Sequence, residues 1–345
     1  MTFVKTATYS PAYTLVPTYE CFNRCSYCNF RIDPGKSSWL SLADAEVQLR
    51  SLQDQDIIEI LILSGEVHPQ SDRRSSWLQR LYELGELALS LGFLPHTNAG
   101  PLSVSEMALL KRVNVSMGLM LEQVTPILLQ TVHRHAPSKL PAMRLQQLAQ
   151  AGELQIPFTT GLLLGIGETA MDRCETLEAI AQLHQRWGHI QEVILQPYSP
   201  GQMEAWAGEA FSPQELLETI ANARRILPSD IAIQIPPNLV PRTQLLACLD
   251  AGASDLGGIG PHDEVNPDYP HPIDTELAAV LATADWALMP RLPIYPQYDQ
   301  WLPAPLRNAV ERWRRKIETL HAGSSLSDKR QKASPLIERS AIAGG

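Results

Sequence analysis

Three cysteines crowd into eight residues of this chain, in the run Cys21-Phe22-Asn23-Arg24-Cys25-Ser26-Tyr27-Cys28. The Cys-x3-Cys-x2-Cys spacing leaves loops of only two or three residues between thiols, so the three can wrap one small metal centre. A closed structural zinc or iron–sulfur site takes four protein ligands. A missing fourth ligand therefore leaves a coordination position open for another molecule. Read from the residues, the stretch predicts a cubane cluster on Cys21, Cys25 and Cys28 with one iron open to a substrate or cosubstrate. A zinc site completed by a distant ligand such as His68 is the alternative. Cys174 and Cys248 stand alone in helical patterns and are expected to be buried, inert small side chains.

The remaining composition narrows the setting. The 345 residues suffice for one large barrel or two medium domains. A net charge of −9 argues against a nucleic-acid partner, which favours a basic face. No apolar run reaches the ~20 residues that cross a bilayer, and the first ten residues lack a signal-peptide pattern. Clustered cysteines without a disulfide framework point to a reducing compartment, the cytoplasm.

Strand-like apolar stretches alternate with helical patterns along the chain. The strands are expected at Tyr13–Thr18, Ile57–Ser64, Phe93–Asn98, Val113–Leu121, Pro157–Leu164, Glu192–Pro197, Ile231–Pro236 and Gly252–Leu256. Continuous apolar runs such as Ile57 to Leu63 suit strands covered on both faces. Helices lie between them, several opened by a cap, as at Ser41 and Ser212-Pro213. Such alternation predicts an α/β fold with a parallel sheet and right-handed crossovers. Eight strands make a complete or nearly complete (β/α) barrel the first choice and a doubly wound open sheet the second. In a barrel, chemistry gathers at the carboxyl ends of the strands. The cysteines, Ser64-Gly65-Glu66, His96-Thr97-Asn98, Glu122, Gly165-Ile166-Gly167-Glu168, Gln196, Asn238 and Asp255 all fall there on this reading. The barrel is expected over residues 1–260, an extension packing on it over 261–323, and a disordered tail over 324–345.

The cysteine motif, with Tyr27 in its aromatic slot, resembles that of the radical S-adenosylmethionine (SAM) enzymes. The resemblance implies a [4Fe-4S] cluster on Cys21, Cys25 and Cys28, with the amino and carboxylate groups of SAM on the fourth iron. Ser64-Gly65-Glu66 resembles the family's glycine–glutamate motif, which meets the SAM amino group. Its first position is Ser64 rather than a second glycine. Gly161 to Glu168 resembles the fifth-strand glycine motif, whose backbone at Gly165, Ile166 and Gly167 would contact the adenine. Glu122 and Arg144 occupy positions where biotin-synthase-like members hold the ribose and carboxylate of SAM. A guanidinium suits a carboxylate because it can bind both oxygens.

A narrower likeness covers most of the chain. His133 to Lys139, Arg144, Ala151 to Gly161, Pro95 to Asn98, Gly118 to Glu122 and Ile294-Tyr295-Pro296 are similar to the cyclising subunits of deazaflavin (FO) synthases. That likeness implies that a 5′-deoxyadenosyl radical removes a hydrogen from an adduct of tyrosine's hydroxybenzyl group with a ribityl-diaminouracil. Ring closure, loss of ammonia and oxidation would then give the tricyclic deazaflavin. It implies as partners a second radical SAM subunit that supplies the adduct and an electron donor such as ferredoxin or flavodoxin. Position at the strand ends makes His96, Asn98, Gln196, Asn238 and Asp255 the candidate substrate ligands. His96, Asn98 and Asp255 are also the candidates for proton transfer, and Tyr198, Tyr295 and Tyr298 for stacking. The adduct-forming partner and a sulfur-inserting enzyme of the biotin-synthase kind stay as alternatives. The second lacks a further cysteine motif for its auxiliary cluster.

Overall fold

A computed structural model describes residues 5–331. Eight parallel strands close into a barrel: β1 (Lys5–Leu15), β2 (Glu59–Leu63), β3 (Leu94–Asn98), β4 (Ser116–Gly118), β5 (Phe158–Leu164), β6 (Ile190–Pro197), β7 (Ala232–Gln234) and β8 (Asp255–Ile259). β1 pairs with both β2 and β8, which completes the ring. Seven helices follow the strands as crossovers: α1 (Leu42–Arg50), α2 (Arg74–Ser90), α3 (Val104–Leu110), α4 (Pro141–Glu153), α5 (Ala170–Trp187), α6 (Pro213–Ile226) and α7 (Leu245–Asp250). Beyond β8 come α8 (Asp274–Ala282), a ninth strand β9 (Trp286–Pro290) and α9 (Ala304–Gln331).

The strands sort their side chains by the period of two that a pleated strand imposes. On β2, Ile60 and Ile62 turn outward into the main core with Trp77 and Leu81 of α2. Glu59, Leu61 and Leu63 turn inward and line the barrel cavity. Crossover helices start where the sequence offers caps. Ser41 accepts from the Asp44 amide, and Ser103/Glu106 and Thr169/Asp172 form reciprocal capping boxes at α3 and α5.

Four features depart from the sequence reading. β1 spans Lys5–Leu15 and so starts well before the strand expected at Tyr13–Thr18. β8 begins at Asp255 instead of ending beside it, so Asp255 lies at the amino end of the barrel. β9 lies in the extension, where no strand is expected. It pairs in parallel with the first half of β1, Lys5 to Tyr9, while the second half of β1 pairs with β2. α9 runs through Gln331, past the expected boundary at 323, and the rest of the expected tail lies outside the described residues. The chain after β9 forms a second core of its own. Leu292, Ile294, Tyr298, Leu306 and Val310 pack there on Ile58, Leu94 and Val115, which flank the amino ends of β2, β3 and β4. The extension thus covers the bottom of the barrel.

Candidate active site

Two adjoining cavities, of about 320 and 180 Å³, occupy the barrel interior and its carboxyl-end mouth. Asn98, Gln196, Met120 and Ile194 line both and mark where they meet.

The upper cavity holds Cys21, Cys25 and Cys28 together. Their loop is fixed by backbone bonds at both ends. The Cys21 amide donates to Ile32, the Arg24 amide to His135, and the Ser26 amide to Val132. Tyr27 is half-buried in the same loop, its hydroxyl 2.9 Å from His133 Nε2. Burial pushes the His133 imidazole down to about 3, so it is neutral. Burial, reinforced by Glu66, likewise pushes the Cys21 thiol up to about 11, and burial pushes Cys25 up to about 12. Thiols held this way ionise when a metal centre supplies the positive charge. Three soft sulfur donors and no carboxylate in the motif suit an iron–sulfur cluster rather than a hard cation. The zinc alternative fares worse. His68 packs edge-on against Phe22 at 5.1 Å and does not line the cavity with the cysteines.

Beside the thiols stand two ion pairs. Arg144 donates to Glu66 Oε1 at 2.9 Å, and also to the carbonyls of Ser138 and Met120. The other Glu66 oxygen accepts from Asn23 at 2.8 Å and from the Ser138 hydroxyl. Lys139 pairs with Glu122. Burial pushes the Glu122 carboxyl upward, but the Lys139 and Arg144 cations overcome it and hold it below the usual range. Glu122 adopts φ 65°, a left-handed backbone that is strained for a residue with a side chain. The motif Ser64-Gly65-Glu66 is equally constrained. Ser64 accepts from the Trp77 indole at 2.9 Å, and a Cβ on Gly65 would stand 2.3 Å from the Glu20 carbonyl oxygen.

The lower cavity has a polar floor. Glu59, Glu192, Arg291, Thr159 and His96 line it. Arg291, just past β9, donates to both oxygens of Asp255, at 2.6 and 2.8 Å, and pairs with Glu192. Burial pushes the Glu192 carboxyl up to about 7, with Asp255 adding to the rise and Arg291 opposing it. Glu59 is raised by burial too.

Of the residues singled out from sequence, Cys21, Cys25, Cys28, Tyr27, Ser64, Gly65, Glu66, Glu122, Arg144 and Tyr198 line the upper cavity, His96 the lower, and Asn98 and Gln196 both. Others are placed elsewhere. Asp255 is sealed beneath the floor and serves Arg291. Asn238 donates to Asp263 and to the Tyr269 carbonyl, so it pins the loop after β8 rather than facing the cavity. The Gly165-Ile166-Gly167 turn stands behind the cavity wall. The amides of Gly165 and Ile166 donate to Glu168, and Ile166 packs on Leu128, Val132 and Tyr198. Tyr295 lies under the floor against Glu192, and Tyr298 sits in the second core. Cys248 is buried, whereas Cys174 is only half-buried. Lys139, Asn23, Ser138, Glu59, Glu192 and Arg291 were not singled out as site residues. A basic residue flanked by Ser138 in the His133 to Lys139 stretch was the available signal for Lys139. For Arg291 there was none.

Comparison with known proteins agrees with this geometry. Residues 15–180 match the radical SAM superfamily model. The chain is 69% identical over 309 residues to a 7,8-didemethyl-8-hydroxy-5-deazariboflavin synthase of Trichormus variabilis, covering 89% of this chain and 91% of the relative. It is 67% identical, with the same coverage, to the synthase of that name from Nostoc sp.. Among solved structures, the FeFe-hydrogenase maturase HydG from Carboxydothermus hydrogenoformans superposes with a TM-score of 0.69 at 18% identity, over 88% of this chain and 76% of that one, which shows a shared fold.

Proposed function

Because this chain belongs to the 7,8-didemethyl-8-hydroxy-5-deazariboflavin synthase family of radical SAM enzymes, we propose that it carries out the cyclising half of deazaflavin formation. It would act on the hydroxybenzyl–ribityluracil adduct and close it to the tricycle with loss of ammonia, which makes it an ammonia-releasing lyase. The observation that carries the reading is the coupling of two unlike chambers. One is lined by three thiols, and it opens at Asn98 and Gln196 into a second large enough for an organic substrate.

Cys21, Cys25 and Cys28 would hold a [4Fe-4S] cluster, and the two ion pairs beside them would hold SAM. Glu66, Glu122, Arg144 and Lys139 present two anions and two cations, which complement the ammonium and carboxylate of a zwitterionic amino acid. When bound, the cluster and SAM supply one-electron chemistry able to remove a hydrogen atom from the substrate. The protein's part is to fix positions and exclude water. Tyr27 and Tyr198 wall the thiol chamber, and Asn98 and Gln196 offer amide donors and acceptors where the two chambers meet. A second radical SAM subunit would deliver the adduct, and a ferredoxin or flavodoxin the electron.

The test is anaerobic incubation of the cluster-loaded protein with dithionite, SAM and the adduct. Appearance of a fluorescent deazaflavin supports the reading. Deoxyadenosine formation from free tyrosine as fast as from the adduct would assign it the partner's chemistry instead.

A further inference from the structure

Three buried carboxyls, Glu59, Glu192 and Asp255, lie at the bottom of the barrel with one guanidinium, Arg291, which pairs with Glu192 and Asp255 and acts on Glu59 only at longer range. The floor therefore holds more acids than its one cation can balance. Burial and Asp255 push the Glu192 carboxyl up to about 7, so the floor gains its net negative charge above that pH, where Glu192 ionises.

His96 adds an acceptor of a defined kind. The Ser116 hydroxyl donates to the Pro293 carbonyl at 2.5 Å, so its oxygen receives the His96 Nδ1 proton at 2.7 Å. Burial pushes this imidazole down to about 3, which keeps it neutral. Nε2 is thus left as a bare lone pair on a side chain 7% exposed that lines the cavity. Gly118 keeps that nitrogen reachable, since a Cβ there would stand 2.9 Å from it. The inward positions Glu192, Ile194 and Gln196 set the depth. Four residues of strand, tilted as barrel strands are, put Glu192 about 11 Å below Gln196, enough for a five-carbon chain to descend.

We propose that the floor seats an uncharged polyol. The ribityl chain of the substrate reaches down from Gln196, its hydroxyls donate to His96 Nε2 and Glu192, and the surplus of carboxylates rejects the same chain with a terminal phosphate. This rests on the function proposed above and gives the substrate a direction: sugar chain down, ring system up beside the thiols. It also places a phosphate-removing reaction before this one if the precursor is made as a phosphate ester.

The experiment is calorimetric binding, under anaerobic conditions at about pH 8 where Glu192 is ionised, of three uracils to the cluster-loaded full chain. They are ribityl-diaminouracil, its N-methyl analogue without the chain, and its ribityl-phosphate form. The N-methyl compound should bind at least about tenfold more weakly and the phosphate at least about a hundredfold, because a hydrogen-bonding site resists both an absent donor and a like charge. Glu192→Gln should shrink the phosphate penalty about tenfold, an effect of charge that a packing role would not give. Gly118→Ala, by covering Nε2, should weaken the ribityl compound about tenfold and leave the N-methyl compound as it was. Equal binding of the ribityl and N-methyl compounds would overturn the proposal, as would a phosphate penalty that Glu192→Gln does not move. Turnover is not needed for this readout. Discrimination intact without deazaflavin formation would count against the proposed function and leave the polyol seat standing.

Discussion

The two chambers of this barrel treat charge in opposite ways. Next to the cysteines each of two acids faces its own base, Glu66 with Arg144 and Glu122 with Lys139, while Glu204 on the same cavity wall is bonded to the Tyr198 hydroxyl. At the floor Arg291 answers Asp255 fully and must be shared by Glu192 and Glu59. A balanced set can receive a zwitterion without either end meeting a net field. An unbalanced one suits a ligand that brings hydrogen-bond donors and no negative charge. One cavity can therefore sort two molecules by electrostatics alone, before shape enters.

The sharpest break of the comparison is at the thiols. Cys25→Ala should abolish SAM cleavage, because two thiolates cannot replace three around a cluster; deoxyadenosine release measured after anaerobic reconstitution checks it, and any appreciable release refutes it. At the floor the largest effect is on stability. Asp255→Ala leaves the Arg291 guanidinium short of its bidentate partner, at a cost of about 3 kcal/mol, the low end for a broken buried pair since Glu192 remains. Urea denaturation reads that loss, and a variant as stable as the parent would show that Arg291 does not depend on Asp255. Arg144→Ala in the balanced chamber should weaken SAM binding about ten- to a hundredfold, the ~1.5–3 kcal/mol of a charge-assisted hydrogen bond, with iron content unchanged.

The smallest expected effect separates the chambers by pH. His96 and His133 both have folded-state values near 3, below the ordinary imidazole value of 6.5. Depressed values mean that their neutral burial favours the fold fully above about pH 6.5 and progressively less as pH falls toward 3. Stability of the metal-free protein should decline over that window. His96→Gln should flatten part of the slope, and an unchanged slope would show that His96 is protonated in the fold.

Much of the architecture was legible because apolar runs bounded by turns are a strand's own signature. The barrel, its order and the cysteine loop followed from them. What escaped was placement that only tertiary contact decides. Asp255 sits in an apolar neighbourhood at a plausible strand end, yet the strand starts there, so a one-strand shift in boundary moved its carboxylate from rim to underside. β9 is five residues flanked by a turn and prolines, and its partner lies some 280 positions earlier, beside Lys5 to Tyr9. Asn23 and Ser138 meet across a sequence separation of 115, and nothing in either local pattern signals the other. The Gly165 to Gly167 backbone is expected against the adenine only through the family resemblance, and in the fold the Gly165 and Ile166 amides are taken by Glu168.

The position of Arg291 has a consequence for the order in which the molecule can mature. The acids it neutralises are carried on β2, β6 and β8, and Arg291 itself follows the only described strand outside the closed ring. A nascent chain that has just released β8 from the ribosome already owns all eight staves of the barrel, with Glu59, Glu192 and Asp255 converging and no cation among them. Domains tend to fold as units while synthesis proceeds from the amino end. Here closure of the ring should wait for translation of the segment through Arg291, whose arrival relieves the crowding of like charges. The carboxyl-terminal extension is on this view the keystone of the barrel, the last stone set and the one that lets the others bear weight.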